Sequence, residues 1–354
     1  MKIDVRLDRP LTDTVAEAIA AESAGFDALW FAEAGTDPFV PNAVAAPVTS
    51  TLGLGTAIAV AFGRSPLTVA QIAWDLNALS RGRFMLGLGS QVKAHIERRY
   101  SMPWSRPAAR MREYLLAVDA IWSTWETGAP LDFNGDFYSH TLMTPTFSPS
   151  VREWGRPEVH LAAVGPLMTE VAGEVADGVR VHSFTTARYL SERTIPSLQR
   201  GLSRAGRQRS DVVVSLPLLV GVVSDESDLT RIAEENRRRV SFYGSTPAYR
   251  EVLELHGWGE LQTELHALSL QQRWDDMAAC VDDEVLNTFA VIGEPSSVAE
   301  EIQRRYAGLV DRVCLYFAQG LQEGPAAADL LDALSKYRDA YTTVGGRQES
   351  LERK

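Results

Sequence analysis

Two short apolar stretches, each leading into a glycine-rich loop, constrain the fold of this chain more than any other feature. The first covers residues 52–60 and the second covers residues 81–90, and an amphipathic segment from Pro66 to Leu79 lies between them. Each apolar run is too short for a packed helix, whereas parallel strands need a crossover of about a dozen residues or more. The spacing therefore predicts a βαβ unit with two buried parallel strands.

The same alternation of strand and helix continues along almost the whole chain. Eight strands with intervening helices favour a closed (β/α)8 TIM barrel over an open doubly wound sheet. A length of 354 residues agrees with this fold, since barrels of about 250 residues and more are common as single domains. The eight predicted strands cover residues 2–7, 28–32, 52–60, 81–89, 159–163, 179–182, 212–220 and 312–317.

Three segments are expected to lie outside the barrel repeat, and we predict one barrel domain over residues 1–342. An Asn-Gly turn dipeptide predicts a small hairpin over 131–140. An excess of helix between strands seven and eight predicts a helical insertion over about 246–286. Residues 343–354 are polar and contain glycine, so we expect a frayed tail there.

Composition narrows the classes of partner and the cellular location. A formal net charge of -11 argues against a nucleic-acid partner, which needs a concentrated basic face. No apolar run reaches the roughly 20 residues that cross a bilayer, and the first residues lack the pattern of a signal peptide. We therefore expect a cytoplasmic protein without a membrane partner. Cys280 and Cys314 are too few for a metal cluster, so we expect two reduced, buried thiols.

Candidate functional residues follow from position alone, because the active site of such a barrel lies at the carboxyl ends of its strands. The long connection after Ser90 is typical of a lid or a binding loop. The candidates are Glu33, residues 56–60 with Arg64, residues 90–95, residues 163–165 and residues 182–185.

The types of these residues point to an imported organic cofactor. Gly87-Leu88-Gly89 lacks the third glycine of the dinucleotide-binding fingerprint, because position 92 is valine. No serine lies in a nucleophile elbow, and no pair of histidines has the spacing of metal ligands. Gly165 precedes a helix that begins at Pro166, which predicts free backbone N–H groups that can hold a phosphate. An enzyme without its own nucleophile or metal usually takes its chemistry from a cofactor.

Several of these motifs together resemble the luciferase-like monooxygenase superfamily, which implies a TIM barrel of the bacterial luciferase type. The segments that carry the resemblance are residues 53–60, 81–89, 162–166 and 176–179. Within the superfamily, residues 90–99, 102–104 and 242–249 are similar to the branch that depends on coenzyme F420, a deazaflavin. The resemblance implies an oxidoreductase that transfers a hydride at the deazaflavin C5, and a homodimer.

The resemblance also assigns site residues. It implies a cis peptide bond between Ala57 and Ile58 that backs the deazaflavin ring, and it places Glu33 near the hydroxyl edge of the ring. His95 matches a position at which relatives use asparagine to contact the cofactor, and residues 163–166 match the phosphate-binding turn. The expected cofactor-binding residues are Glu33, Thr56, Ala57, Ile58, Ser90, Lys93, His95, Ala163, Val164 and Gly165.

One departure from the pattern bears on the reaction. Relatives that oxidise a sugar phosphate carry a histidine and a glutamate where this chain has Ala34 and Val92. That mechanism is therefore not transferred, and a reductase of a small organic substrate is favoured. Glu33 and His182 are the expected proton-transfer residues, since histidine titrates near neutral pH and a partly buried carboxyl group can be tuned upward. Alternatively, His182 only forms a hydrogen bond with the cofactor or with a loop carbonyl.

Two other functions stay open at this point. The same fold is expected to bind reduced flavin mononucleotide (FMN) and act as a monooxygenase, since both ring systems fit the mouth of the barrel. The lack of side-chain chemistry at Ala34 and Val92 is also compatible with a non-catalytic flavin- or deazaflavin-binding protein. Aromatic residues near the expected mouth, such as Phe39, Phe62 and Trp104, indicate a hydrophobic or planar substrate.

Overall fold

Eight parallel strands close into a barrel in the computed structural model, which describes residues 1–6, 10–150, 153–223, 225–317 and 328–337. Each strand pairs with the next along the chain, and the last pairs with the first, so the sheet has no open side. The predicted (β/α)8 barrel is confirmed. Its strands are β1 (Lys2–Arg6), β2 (Ala28–Phe31), β3 (Gly53–Thr56), β4 (Phe84–Gly89), β5 (Glu158–Ala162), β6 (Gly178–Arg180), β7 (Val213–Val222) and β8 (Arg312–Phe317).

Helices cover the outside of the barrel, and their ends follow local signals. Gly25 ends the first helix in the left-handed conformation with φ 86°, and Ser65 caps the third by accepting from the backbone N–H of Thr68. The helices are α1 (Thr14–Ala24), α2 (Phe39–Ala45), α3 (Pro66–Leu79), α4 (Lys93–Arg98), α5 (Pro107–Thr127), α6 (Pro166–Val175), α7 (Ile195–Ala205), α8 (Glu226–Gly244), α9 (Arg250–Leu255), α10 (Gly259–Leu270), α11 (Trp274–Ala279), α12 (Asp283–Phe289) and α13 (Pro295–Tyr306).

The barrel interior is filled by a few large side chains opposite glycines. The Trp30 ring is fully buried, and a Cβ atom on Gly55 would lie 2.4 Å from that ring. Only glycine therefore fits beside Trp30 on β3. Trp30 donates to Asp4, which also forms a buried ion pair with Arg312. These contacts form a buried polar layer that joins β1, β2 and β8.

A second apolar cluster lies beside the barrel, where the sequence predicts a helical insertion. Helices α9 to α12 follow α8, and Val252, Leu253 and Phe289 pack with Leu219 of β7. The strand Ala290–Gly293 extends the sheet beside β7, in parallel register, which the sequence pattern did not predict. The predicted tail over 343–354 lies outside the described residues.

Three smaller features concern the predicted hairpin, the two cysteines and the apolar character of the helices. The predicted hairpin forms, with Phe133–Asn134 antiparallel to Ser139–His140. Both thiols are free, but only Cys314 is buried; the prediction of a buried thiol is wrong for Cys280, which is partly exposed at the end of α11. None of the described helices combines the length and the apolar character that a bilayer span requires.

Candidate active site at the mouth of the barrel

A cavity of about 340 Å³ opens at the carboxyl ends of the strands. Seven of the eight strands contribute to its wall directly or through the residues that follow them, and α8 and the segment after it close one side. Its lining residues are Arg6, Ala32, Glu33, Ala34, Ala57, Ile58, Gly89, Ser90, Gln91, Val92, Ala162, Ala163, Val164, Arg180, Val181, His182, Ser183, Pro217, Tyr243 and Tyr249.

A break in β3 forms one flat wall of the cavity. The strand stops at Thr56, the peptide bond between Ala57 and Ile58 is cis, and pairing with β4 resumes at Ala59–Val60. The predicted position of this cis bond is confirmed. A Cβ atom on Gly89 would lie 2.9 Å from Ile58 Cδ1, so a glycine on β4 keeps the space beside the break open.

Glu33 is fixed at the rim by three donors. Its Oε2 accepts from the backbone N–H of Val60 and from Arg64, both at 2.7 Å, and its Oε1 accepts from the Tyr100 hydroxyl at 2.5 Å. Burial and the hydrogen bond to Glu33 raise the pKa of Tyr100. Burial opposes the charged form of Arg64, but the hydrogen bonds and charges of Glu33 and Asp37 raise its pKa. Both oxygens of Glu33 are thus engaged in binding the rim together.

The long connection after β4 packs against this rim. Tyr100 follows α4 and contacts Gly63, where a Cβ atom would lie 2.6 Å from the tyrosine ring. Arg99 donates to the backbone carbonyl of Ala34 at 3.0 Å. The segment predicted to be a lid or binding loop therefore holds the residues that follow β2 in place.

His182 lies two residues beyond the end of β6, against an aromatic wall. Its ring stacks on Tyr249 with centroids 4.6 Å apart and meets Tyr243 edge to face at 4.8 Å. Its Nδ1 accepts from the backbone N–H of Phe184 at 3.0 Å, so the proton of the neutral ring lies on Nε2. Burial, with a smaller contribution from the charge of Arg6, lowers the pKa of His182 to about 4.

The expectation that His182 titrates near neutral pH is therefore wrong. At pH 7 the ring is neutral and offers an N–H donor, because Nδ1 is already used as an acceptor. Among the described residues Nε2 has no hydrogen-bond partner, and the residue lines the cavity. His182 can thus donate a hydrogen bond to an oxygen or nitrogen of a ligand.

The structure brings together most of the predicted site residues, but not all. Glu33, Ala57, Ile58, Ser90, Ala163, Val164 and His182 line the cavity. Thr56 does not, because it is fully buried and donates to the Gly87 carbonyl. Lys93 and His95 lie on α4 with exposed side chains, and Lys93 pairs with Glu97 at 3.9 Å. Gly165 lies just outside, as the N-cap of α6.

Four lining residues with charged or phenolic side chains were not among the candidates from the sequence: Arg6, Arg180, Tyr243 and Tyr249. Two of them carry a signal that was available, since Arg6 ends β1 and Arg180 ends β6, two residues before His182. Residues two apart on a strand point to the same side. Tyr243 lies on α8, and Tyr249 lies in the predicted helical insertion that follows. No local sequence pattern indicates where these segments pack relative to the barrel.

A second cavity, of about 660 Å³, adjoins the first and shares Val164 with it. It lies at the N-terminus of α6 and is also lined by Pro166 and Thr169, by Arg193 and Arg200, and by the carboxylates of Glu192, Glu251 and Glu254. The first turn of α6 contains no acidic residue, so its free N–H groups and the helix dipole favour an anion there.

Comparison with known proteins agrees with this geometry. A family model described as luciferase-like monooxygenase matches residues 4–312. An uncharacterised protein of Mycobacterium tuberculosis is 48% identical over 323 residues, which cover 91% of this chain and 95% of that protein. The 5,10-methylenetetrahydromethanopterin reductase of Archaeoglobus fulgidus is 28% identical, over 80% of this chain and 82% of the relative.

A solved structure has the same fold. The coenzyme F420-dependent tetrahydromethanopterin reductase of Methanopyrus kandleri superposes with a TM-score of 0.76. The match covers 94% of this chain and 97% of that protein, at 22% sequence identity.

Proposed function

Because the chain belongs to the luciferase-like monooxygenase family, we propose that it is an oxidoreductase that uses coenzyme F420 and reduces a small organic substrate by hydride transfer. The observation that carries this proposal is the cavity at the mouth of the barrel, in which Ala57, Ile58 and Gly89 line the wall together with His182. A planar ring needs such a wall, because its face must be held while one carbon atom exchanges a hydride with the substrate.

The residues present fit a deazaflavin. The absence of a side chain at Gly89 leaves room for a ring beside Ile58, and a second cavity adjoins at Val164 and lies at the N-terminus of α6, where a phosphate would find backbone N–H groups. Glu33 is fixed at the rim, and the family resemblance places the hydroxyl edge of the ring beside it. Both an archaeal relative and a solved structure of the same fold are named as reductases.

The side chains of the cavity favour reduction over oxidation. The bound coenzyme supplies the hydride, and the substrate atom that gains negative charge must then receive a hydrogen bond or a proton. His182 Nε2–H and Arg6 are donors in the cavity wall. Glu33 is the only carboxylate among the described lining residues, and both of its oxygens already accept hydrogen bonds. An alcohol dehydrogenation needs a base, and Ala34 and Val92 supply none.

A binding titration of the purified protein against coenzyme F420 and against FMN tests the proposal. We expect micromolar or tighter binding of the deazaflavin and oxidation of its reduced form by an organic acceptor without oxygen consumption. Preference for FMN with oxygen uptake would replace the proposal by a monooxygenase. Binding without turnover across a broad panel of acceptors would favour a non-catalytic binding protein, and binding of neither coenzyme would overturn both enzyme functions.

We also propose that the chain forms a homodimer through α1. The helix buries Thr14, Ala18 and Ala21 against the barrel, while Val15 and Ile19 remain 40% and 46% exposed on its other side. Leu11 is exposed four residues before Val15 and continues this stripe. Exposed apolar stripes of this kind are typical of association surfaces.

A further inference from the structure

The interior of the barrel contains two arginines, and only one of them has a carboxylate partner. Arg312 donates to both oxygens of Asp4, at 2.6 and 2.8 Å. Asp4 is fully buried and also accepts from Trp30 at 2.8 Å. The charge of Asp4 is thus matched by Arg312.

Arg180 is the second arginine, and it is only 3% exposed. Its guanidinium lies over the ring of Trp30, 3.8 Å from the centroid, and donates to the Ser215 hydroxyl at 3.2 Å. No carboxylate of the described residues forms an ion pair with it. Burial lowers the pKa of Arg180, and the nearby Cys314 and the charge of Asp4 oppose this effect only in part. A buried charge without an ionic partner normally destabilises a fold, so its presence calls for an explanation.

The location of Arg180 supplies that explanation. It lines the same cavity as His182 and Arg6, at the inner end where β6 stops. Stacking on Trp30 holds the guanidinium plane in one orientation, and Ser215 and Cys314 occupy part of its donor capacity. A guanidinium carries five N–H donors, so donors remain for a flat anion, because they match two oxygens, or an oxygen and a nitrogen, side by side.

We infer that Arg180 is an anion receptor at the floor of the cavity and that its ligand is a flat, delocalised anion. Two sources carry this chemistry: a carboxylate of the substrate, or the pyrimidine ring of the reduced deazaflavin, which loses its N1 proton in water. The second source rests on the proposed function, and the first does not.

The stability of the protein without ligand provides the first test. Arg180→Met removes a buried charge that lacks an ionic partner, so we expect a melting temperature equal to or higher than that of the unmodified protein. The matched control is Arg312→Met, which removes the partner of buried Asp4 and is expected to lower the melting temperature strongly. If Arg180→Met lowers it as much as the control, Arg180 is a structural residue and the inference is wrong.

Ligand binding provides the second test and separates the two sources. Acetate and benzoate, as probes, are expected to raise the melting temperature of the unmodified protein and of Arg180→Lys, but not of Arg180→Met, if the source is a substrate carboxylate. If the source is the coenzyme, Arg180→Met loses about tenfold or more in affinity for reduced coenzyme F420, with a smaller loss for the oxidised form.

The outcomes also distinguish this inference from the proposed function. Failure of the unmodified protein to bind any deazaflavin would overturn the proposed function, while the carboxylate probes would still decide the role of Arg180. Unchanged responses to carboxylates and to reduced coenzyme in Arg180→Met would overturn the anion receptor whatever coenzyme the protein binds.

Discussion

At the scale of single residues, neighbours rather than residue type decide the chemistry of the candidate site. His182 would titrate near pH 6.5 in water, but the stacked Tyr249, the N–H of Phe184 and burial hold it neutral with its proton on Nε2. Glu33 is likewise an acceptor with both oxygens engaged. Of the two proton-transfer candidates, His182 is thus a fixed hydrogen-bond donor and Glu33 is a fixed hydrogen-bond acceptor.

The lowered pKa of His182 predicts a specific dependence of stability on pH. Between pH 6.5 and about 4 the unfolded chain binds a proton at this residue that the folded chain does not. The free energy of unfolding therefore falls as the pH falls through this window, by at most about 3 kcal/mol. Urea denaturation at several pH values should show a shallower slope for His182→Gln. An identical slope in the variant would show that His182 is not held neutral.

Glu22 predicts a linkage of the same sign, in a more acidic pH window, at a site outside the cavity lining. Its Oε1 accepts from the backbone N–H groups of Ser50, Thr51 and Leu52, just before β3. Burial opposes ionisation, but these hydrogen bonds lower its pKa to about 2. The contribution of Glu22 to the free energy of unfolding is complete above pH 4.5 and is lost as the pH falls toward 2.

We expect Glu22→Gln to lower the free energy of unfolding at pH 7 by about 1–2 kcal/mol, a value reduced for solvent screening of this partly exposed group. Chemical denaturation at pH 7 and pH 3 checks this, since the difference between the variant and the unmodified protein should shrink at the lower pH. A difference that does not depend on pH would contradict the assignment.

At the scale of elements, close packing between strands positions the site. Gly55 of β3 contacts the Trp30 ring of β2, so Gly55→Ala forces either the ring or β3 to move. We expect a loss of about 2 kcal/mol or more in stability, and weaker coenzyme binding, because Ala57 and Ile58, which line the cavity, follow directly. The matched control is Gly293→Ala, whose added Cβ would meet only ordinary contacts at 3.8 Å. Equal effects of the two substitutions in denaturation experiments would contradict this account.

Elements outside the repeat complete the cavity. The connection that contains Tyr100 holds the rim at Glu33, and the insertion supplies the aromatic wall around His182. The barrel strands therefore carry the wall at Ala57 and Ile58, while the non-repeating segments shape the rest of the cavity.

At the scale of the whole molecule, the exposed stripe on α1 predicts self-association. The double substitution Val15→Lys and Ile19→Lys should convert a dimer to a monomer in light scattering after gel filtration, because it places two charges in an apolar contact. Leu270→Lys is the control, since Leu270 is 74% exposed on the helical insertion and is not part of the stripe. A monomeric unmodified protein, or a dimer that survives the double substitution, would contradict the proposed surface.

Local sequence patterns are sufficient to predict the repeating architecture. Strand and helix periodicity are local, so eight strands, the caps at Gly25 and Ser65, and the order of elements could be inferred from short windows. The break at Ala57–Ile58 was predicted in another way, from the resemblance of residues 53–60 to the family.

Contacts between distant segments determine which candidate residues line the same cavity, how they are protonated and how their charges are paired. Lys93 and His95 follow a barrel strand as Glu33 does, yet α4 turns their side chains to solvent. The neutral state of His182 depends on Tyr249 from another element, and the missing carboxylate at Arg180 depends on which arginine Asp4 pairs with. Protonation and charge balance are set by contacts between segments distant in the chain, and these contacts leave no local pattern in the sequence.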